Sequence, residues 1–322
     1  MKLIRGRYNL KPEHQGCVAT IGNFDGVHRG HQQVIANLRA ASQRLALPST
    51  VISFEPLPRE FFAPLGSDQP SPPRLTRFRE KFTALADQQV DRFLCMRFSK
   101  RLACQDPQEF IQQILVGGLG VKYLVVGDDF RFGRDRAGDF AMLKAAGEKH
   151  GFEVVDTQTV VSENTRISST GIREALTAGD MPQAAELLGR GYTMAGRVAH
   201  GEKRGREMGY PTANIAIHRK ETPVSGIFVT RMFGLTDVEG EGPVDGVSSL
   251  GVRPTFEGNG KAVLEVHLFD FKRMIYGQNV VVEFLHKIRD EEKFDSMDAL
   301  IEKIHEDADL AREWFAEEKK DL

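Results

Sequence analysis

Between Val18 and about Leu188, short apolar runs alternate with stretches whose apolar residues recur at helical spacing. Val18-Ala-Thr-Ile21 is an apolar run ending in glycine. From His31 to Leu47, residues Val34, Ile35, Leu38, Ala41 and Leu45 then share one helical face. Val51-Ile-Ser-Phe54, Phe93-Leu-Cys-Met96 and Tyr123-Leu-Val-Val126 read as further buried strands, the last running into Gly127-Asp-Asp. Asp106-Pro107 predicts a helix start, with Asp as N-cap and Pro at the first helical position. Such alternation predicts a parallel sheet with helices on both faces, where ligands bind beyond the carboxyl ends of the strands. GNFDG (22–26) and GDDF (127–130) both stand at such ends. Between them, six of the 14 prolines crowd the segment from Pro56 to Pro73. It starts where a strand ends and reads as a lid over a ligand site, the alternative being a surface excursion.

After Gly189 the rhythm changes. Thr193–Val198, Asn214–Ile217, Ile227–Met232, Val263–Phe269 and Val280–Phe284 are short, β-branched and separated by glycine-rich turns, the pattern of a small antiparallel barrel. From Ser296, residues Leu300, Ile304, Ala308, Ala311 and Phe315 form a helical stripe, so one amphipathic helix is expected to close the chain and pack on the barrel. No internal repeat is evident.

Composition narrows this picture. With 322 residues, 41% hydrophobic and 27% charged, the chain suits two ordinary globular domains, each able to bury a core. Its 43 basic and 45 acidic side chains give a net charge of -2, which disfavours a nucleic-acid partner. Cys17, Cys95 and Cys104 are odd in number, with no Cys-x-x-Cys pair, and read as reduced cytoplasmic thiols. The first residues lack the apolar run of a signal peptide, and no stretch approaches transmembrane length, so no membrane association is expected.

The densest chemistry is GNFDGVHRGH (22–31). As metal ligands, His28 and His31 lack a third partner at a familiar spacing; as nucleic-acid contacts they lack a basic surround. A phosphate site fits better: Gly22, Gly26 and Gly30 admit a polyphosphate close to the backbone, and His31 begins a helix whose N-terminus favours anions. Two imidazoles there could donate to the charge that builds on phosphorus during displacement. Two histidines merely capping a helix would look the same alone; the glycines and Asp25 favour phosphate. Arg166-Ile-Ser-Ser-Thr-Gly-Ile-Arg173 adds hydroxyls and a cation just before a helical segment, Ile172–Ala178, although Ser/Thr caps of this kind are common.

In the second half, Gly196-Arg-Val-Ala-His-Gly-Glu-Lys-Arg-Gly205 leads into Gly209-Tyr-Pro-Thr-Ala-Asn214 without the spacing of a Walker A loop. Thr212 and Asn214 offer hard oxygens suited to Mg²⁺, or simply a turn entering a strand. Glu265 shares a strand face with His267, alternating with Leu264, Val266 and Leu268. Its carboxylate is either solvated on an outer barrel face or a general base beside a bound alcohol.

GNFDGVHRGH, FEPLPR (54–59), GDDFRFG (127–133) and ISSTGIR (167–173) occur in that order, followed by GYPTAN, GVRPTF (251–256) and LEVHLFDF (264–271). Together they resemble the bacterial bifunctional riboflavin kinase/FAD synthetase family over nearly the whole chain. The resemblance implies an α/β plus all-β fold: a Rossmann-like nucleotidylyltransferase domain over residues 1–186 and a β-barrel flavokinase domain with a C-terminal helix over 187–322. It implies that FMN attacks the α-phosphorus of ATP to give FAD and pyrophosphate, His28 and His31 stabilising the transition state. Gly22, Asn23, Phe24, Asp25 and Gly30 would shape the nucleotide pocket, with Asp129 and Phe130 at the nucleotide and flavin. Ser168, Ser169, Thr170 and Arg173 would bind phosphates. In the barrel, riboflavin and ATP would give FMN and ADP. Thr212 and Asn214 match metal-binding residues and Glu265 the base. Gly196, His200, Gly201, Lys203, Gly205, Gly209 and Pro211 would line the nucleotide loop, and Arg289 would border the flavin.

Gly191 stands where the family often has proline, and Ser249 where asparagine is common. The first bears on linker stiffness, the second on loop hydrogen bonding. The expected protein is a cytoplasmic monomer or loose homo-oligomer using Mg²⁺ with ATP. One alternative is a single-activity adenylyltransferase with a non-catalytic barrel, against which Thr212, Asn214 and Glu265 speak. A nucleic-acid module would want a basic face and a Lys-Met-Ser-Lys-Ser-like loop, where this chain has ISSTGIR.

Overall fold

In the computed structural model, residues 1–65, 71–127, 130–156, 161–162, 165–201, 209–235, 242–253 and 261–320 are described. The expected strands and helices are present, with additions that the apolar pattern did not announce. The chain divides into two compact units: Met1–Pro72 with Thr76–Ser168, and Pro73–Leu75 with Ser169–Leu322.

The first unit is a parallel sheet of β1 (Lys2–Arg5), β2 (Cys17–Ile21), β3 (Ser49–Glu55), β4 (Arg92–Arg97), β5 (Val121–Val126) and β6 (Glu153–Asp156) in the order β1-β4-β3-β2-β5-β6. The chain leaves β2 toward β3 and β4 on one side and returns to β5 and β6 on the other, so the topological switch lies between β2 and β5. Helix α1 (Arg29–Leu45) follows β2; then come α2 (Pro58–Phe62), α3 (Phe78–Asp87), α4 (Lys100–Ala103), α5 (Pro107–Phe110) and α6 (Phe140–His150). The proline-rich segment thus contains a short helix, α2, and a 3₁₀ turn at Ala63–Leu65; residues 66–70 lie outside the described region.

Strand alternation builds both cores. Ala19, Ile21, Ile52, Phe54, Leu94 and Met96 face a layer containing Phe110, Ile114 and Leu143, while Val18, Val51 and Phe93 face Ile35 and Leu38 of α1 and Leu85 of α3. Asp106 caps α5 as its sequence predicts, its side chain accepting from the Gln108 amide at 2.8 Å. That helix continues into a π-helical turn at Ile111–Val116. Cys17 and Cys95 are buried and Cys104 is exposed, all as free thiols; burial pushes the Cys17 thiol up to about 11.

A two-stranded ribbon, β7 (Val161–Ser162) with β8 (Thr165–Arg166), precedes the second unit. This unit opens with α7 (Ser169–Ala178) and α8 (Met181–Leu188), then closes a six-stranded antiparallel barrel. Its strands are β9 (Tyr192–Ala199), β10 (Thr212–Ala216), β11 (Gly226–Phe233), β12 (Val244–Arg253), β13 (Lys261–Leu268) and β14 (Asn279–Arg289), in the order β10-β13-β12-β11-β14-β9, with β9 pairing back to β10. Met194, Ile215, Phe228, Leu250, Leu264, Val282 and Phe284 are buried, as inward positions of a small barrel require. The terminal helix α9 (Met297–Glu318), capped by Ser296, lays Ala308, Ala311 and Phe315 over Val229 and Val247, which makes the outer wall of β11 and β12 a second core.

Candidate active sites

The loop between β2 and α1 stands at the topological switch of the first unit. His28 is the N-cap of α1: its Nδ1 accepts from the His31 amide at 3.4 Å. That bond requires an unprotonated Nδ1 and places the ring proton on Nε2. The His28 and His31 rings stack with centroids 3.7 Å apart and an interplanar angle of 19°, and Phe24 tilts against His31 at 4.9 Å. Stacked imidazoles do not aim their lone pairs at one point, the arrangement that a shared metal ion needs. Gly30 lies close against the pair: a Cβ there would meet the His28 ring at 3.2 Å, a tight contact.

His31 is held neutral. Burial, His28 and the charge of Lys81 together keep His31 well below the usual imidazole value of 6.5, and burial also lowers His14. The consequence for stability has a definite sign. In the unfolded chain both imidazoles protonate near 6.5, a proton the folded forms refuse, so their contribution is present above that pH and lost below it. Thermal unfolding of the first unit is therefore expected to occur at lower temperature at pH 5 than at pH 7.5. Circular dichroism follows the whole chain while the single Trp, Trp314 on α9, reports the second unit. An unchanged or higher midpoint in acid would contradict it.

Behind the loop lies a brace absent from the sequence motifs. The Asp25 carboxylate, buried, accepts from the Thr76 amide at 3.0 Å and its hydroxyl at 3.2 Å, and the Thr76 Oγ1 accepts from the Gly26 amide at 2.9 Å. Lys81, also buried, donates from Nζ to the Asn23 carbonyl at 2.7 Å; Ser53 Oγ donates to the same carbonyl at 3.1 Å. Hydrogen bonds to charged groups contribute about 1.5–3 kcal/mol each. They restrain a loop in which Phe24 and Val27 both hold positive φ. Asp25, expected to shape the nucleotide pocket, here secures the loop backbone through Thr76. The signal for Lys81 is its place on the apolar face of α3, four residues before Leu85 and three after Phe78.

Of the remaining candidates in this half, Phe130 stacks on Phe132 at 5.6 Å, and Asp129 lies outside the described residues. Ser168 ends the first unit. Ser169 and Thr170 open α7 in the second unit, where Arg173 donates to the Pro73 carbonyl at 2.6 Å and to the Ser169 carbonyl at 2.9 Å.

In the barrel, register assembles the second candidate site. Asn214 on β10 stands opposite Glu265 on β13, which stands opposite Ser249 on β12; one step along, Thr212 stands opposite His267. Directly opposed residues share a face, and residues two apart on a strand share it too. Thr212, Asn214, Ser249, Glu265 and His267 therefore lie on one outward face, while Leu264 and Val266 point into the barrel. Glu265 is half-buried there, so the outer face expected from alternation is the one observed. His267 donates from Nδ1 to the Pro211 carbonyl at 3.0 Å, which pins the turn into Thr212. Gly201 approaches the Asn214 side chain so closely that a Cβ would overlap it. A cavity of about 80 Å³ opens beside Thr212, with Pro211, Val198, Val266 and Tyr276 among its walls. His200 stacks on Tyr276 at 4.1 Å. Gly196 lies within β9 and Gly209, at positive φ, precedes the turn; Lys203 and Gly205 lie outside the described residues.

The sequence departures have local partners. Gly191 packs against the Glu283 carboxylate where any Cβ would collide, and Ser249 donates to Glu291 at 3.4 Å. Arg289 grips Asp307 of α9 through two bonds, 2.8 and 2.7 Å, and so ties the last strand to the terminal helix.

A family model described as FAD synthetase matches residues 10–171, and one described as riboflavin kinase matches residues 188–315. The bifunctional riboflavin kinase/FMN adenylyltransferase of Pseudomonas fluorescens is 48% identical over 97% of both chains. The protein of the same description from Escherichia coli (strain K12) is 46% identical over 98% of both. A crystal structure described as a macrolide-efflux protein from Streptococcus pneumoniae superposes with a TM-score of 0.81 at 31% identity, covering 98% of this chain and 100% of that one. Among the described residues, no helix is long and apolar enough to cross a membrane.

Proposed function

The chain belongs to the bifunctional riboflavin kinase/FMN adenylyltransferase family, and we propose which of its residues carry each of the two reactions. It is a transferase that phosphorylates riboflavin to FMN and joins FMN to the adenylyl group of ATP; with both family domains present, a non-catalytic barrel is not favoured. We assign residues 1–186 to adenylyl transfer and 187–322 to phosphorylation.

In adenylyl transfer an FMN phosphate oxygen attacks the α-phosphorus of ATP and pyrophosphate leaves. No covalent enzyme intermediate is needed, because the attacking phosphate is already nucleophilic. The protein contributes position and charge stabilisation. His28, with its proton on Nε2, and the stacked His31 serve as neutral donors to the charge at phosphorus, on a helix N-terminus that itself favours anions. Ser168, Ser169, Thr170 and Arg173 contact phosphates, and Phe130 a ring of the substrates.

In phosphorylation Glu265 accepts the proton of the riboflavin 5′-hydroxyl while that oxygen attacks the γ-phosphorus of ATP and ADP leaves. The observation that carries this assignment is the register that sets Asn214 opposite Glu265 on one outward face. Thr212 and Asn214 offer hard oxygens in a cradle that Gly201 keeps open, a donor set fitting Mg²⁺. When bound there, the ion would offset polyphosphate charge. Asn214 and Thr212 would hold it, and Glu265 takes the hydroxyl proton.

The test is direct. Purified protein incubated with riboflavin, ATP and Mg²⁺ is expected to yield FMN and then FAD on chromatography, and chelation of Mg²⁺ to stop the first step. Formation of neither flavin nucleotide would overturn the proposal, and FMN alone would remove its adenylyl half.

A further inference from the structure

The stretch from Thr76 to Lys81 belongs to none of the motifs, yet it holds the backbone on which both histidines depend. Thr76 secures Asp25 and Gly26, and Lys81 reaches Asn23. Lys81 is 1% exposed, at a helix position whose periodicity calls for an apolar residue. Desolvating an ammonium is costly, and a methionine or leucine would fill the same space without that cost.

We propose that Lys81 is a positioning residue for adenylyl transfer: it fixes the Asn23 carbonyl at the root of the loop that carries the His28–His31 pair. The proposal rests on the assignment of that pair to adenylyl transfer. The loop carries His28 only five residues beyond Asn23, and a displacement of about 1 Å at a reacting group can cost roughly 100-fold in rate. The Lys81 charge, on α3, also acts on His31. The ionisable groups felt at His31 are His28, in the same junction, and Lys81, and both keep its imidazole unprotonated. Neutral rings let His28 keep its Nδ1 on the helix end and present Nε2–H outward.

The experiment compares Lys81→Met, Lys81→Gln and Lys81→Arg in the full chain. Three readouts are taken: FAD formation from supplied FMN, riboflavin phosphorylation, and the pH titration of the His31 imidazole by NMR. Lys81→Met is expected to lower kcat for FAD formation by roughly 100-fold with KM values for FMN and ATP moving by less than about threefold. Riboflavin phosphorylation should stay at its wild-type rate, and the His31 midpoint should move upward. Lys81→Arg keeps the charge and is expected to recover most of the His31 midpoint and part of the rate. If Lys81→Met loses the fold of the first unit, Lys81→Gln decides, since its amide can still reach a carbonyl but carries no charge. A folded neutral variant with unchanged kcat, or with lost kcat and an unmoved His31 midpoint, would overturn the proposal. So would failure of both neutral variants to fold, which would make Lys81 a stabilising residue only. A wild-type chain that makes no FAD would instead remove the assignment on which the proposal rests.

Discussion

Glu265→Gln is expected to abolish conversion of riboflavin to FMN while leaving the conversion of supplied FMN to FAD intact. The substitution keeps size and shape but removes the ability to take a proton. A positioned general base contributes about 10²–10⁴-fold, so the initial rate of FMN formation should fall within that range. The side chain faces outward from β13 rather than into the barrel, where Leu264 and Val266 sit, so the core is untouched. Asn214 and Ser249, directly opposite on the flanking strands, are left unchanged. Flavins separated by chromatography after incubation with ATP and Mg²⁺, starting once from riboflavin and once from FMN, give both rates from one preparation. Near-normal FMN formation would mean that Glu265 is a solvated barrel residue. Loss of FAD formation from supplied FMN would mean that the two activities are not separable by half-chain.

Much of this arrangement can be read from the chain, and the exceptions share a physical cause. Strands buried on both faces, such as Ser49–Glu55, declare themselves as apolar runs, and the alternation around Glu265 already places it with His267. Strand β12 does not, because Gly246, Ser248, Ser249 and Gly251 interrupt its apolar period; at Gly246 a Cβ would strike the His267 carbonyl. The edge strands β1 and β6 are short and partly exposed, so neither pattern nor length marks them. The loop of glycines and histidines stands out in the sequence, but its brace does not. Thr76 and Lys81 lie about 50 residues beyond the loop, and only the fold brings α3 to it. The same holds for Arg289: sequence places it at the border of the flavin, but its partner Asp307, a buried acid within the apolar face of α9, comes only from tertiary contact. Backbone elements follow from local period; the partners of charged side chains follow from tertiary contact, which period does not encode.

His28→Ala is expected to have the opposite outcome to the Glu265 variant: FMN accumulates from riboflavin and FAD does not form. Loss of a single donor to a developing oxyanion costs about 10²–10³-fold in kcat, and the Nε2–H of His28 is assigned that role. A competing explanation must be separated from it, because the same ring caps α1 through Nδ1. Loss of an N-cap costs about 1 kcal/mol of helix stability, and alanine removes cap and donor together. His28→Asn distinguishes them, since asparagine is a strong N-cap whose short amide occupies the helix end. If capping were the whole role, the asparagine variant would recover both the thermal midpoint and FAD formation. The assignment of His28 to the reaction requires that it recover the midpoint alone. The stacked geometry adds a further discriminating result: the His28 ring helps to bury His31, so with that ring removed the His31 titration should move upward in His28→Ala. An alanine variant with full FAD formation would return the pair to a purely structural role, and the phosphate chemistry of the loop would then have to rest on its backbone amides.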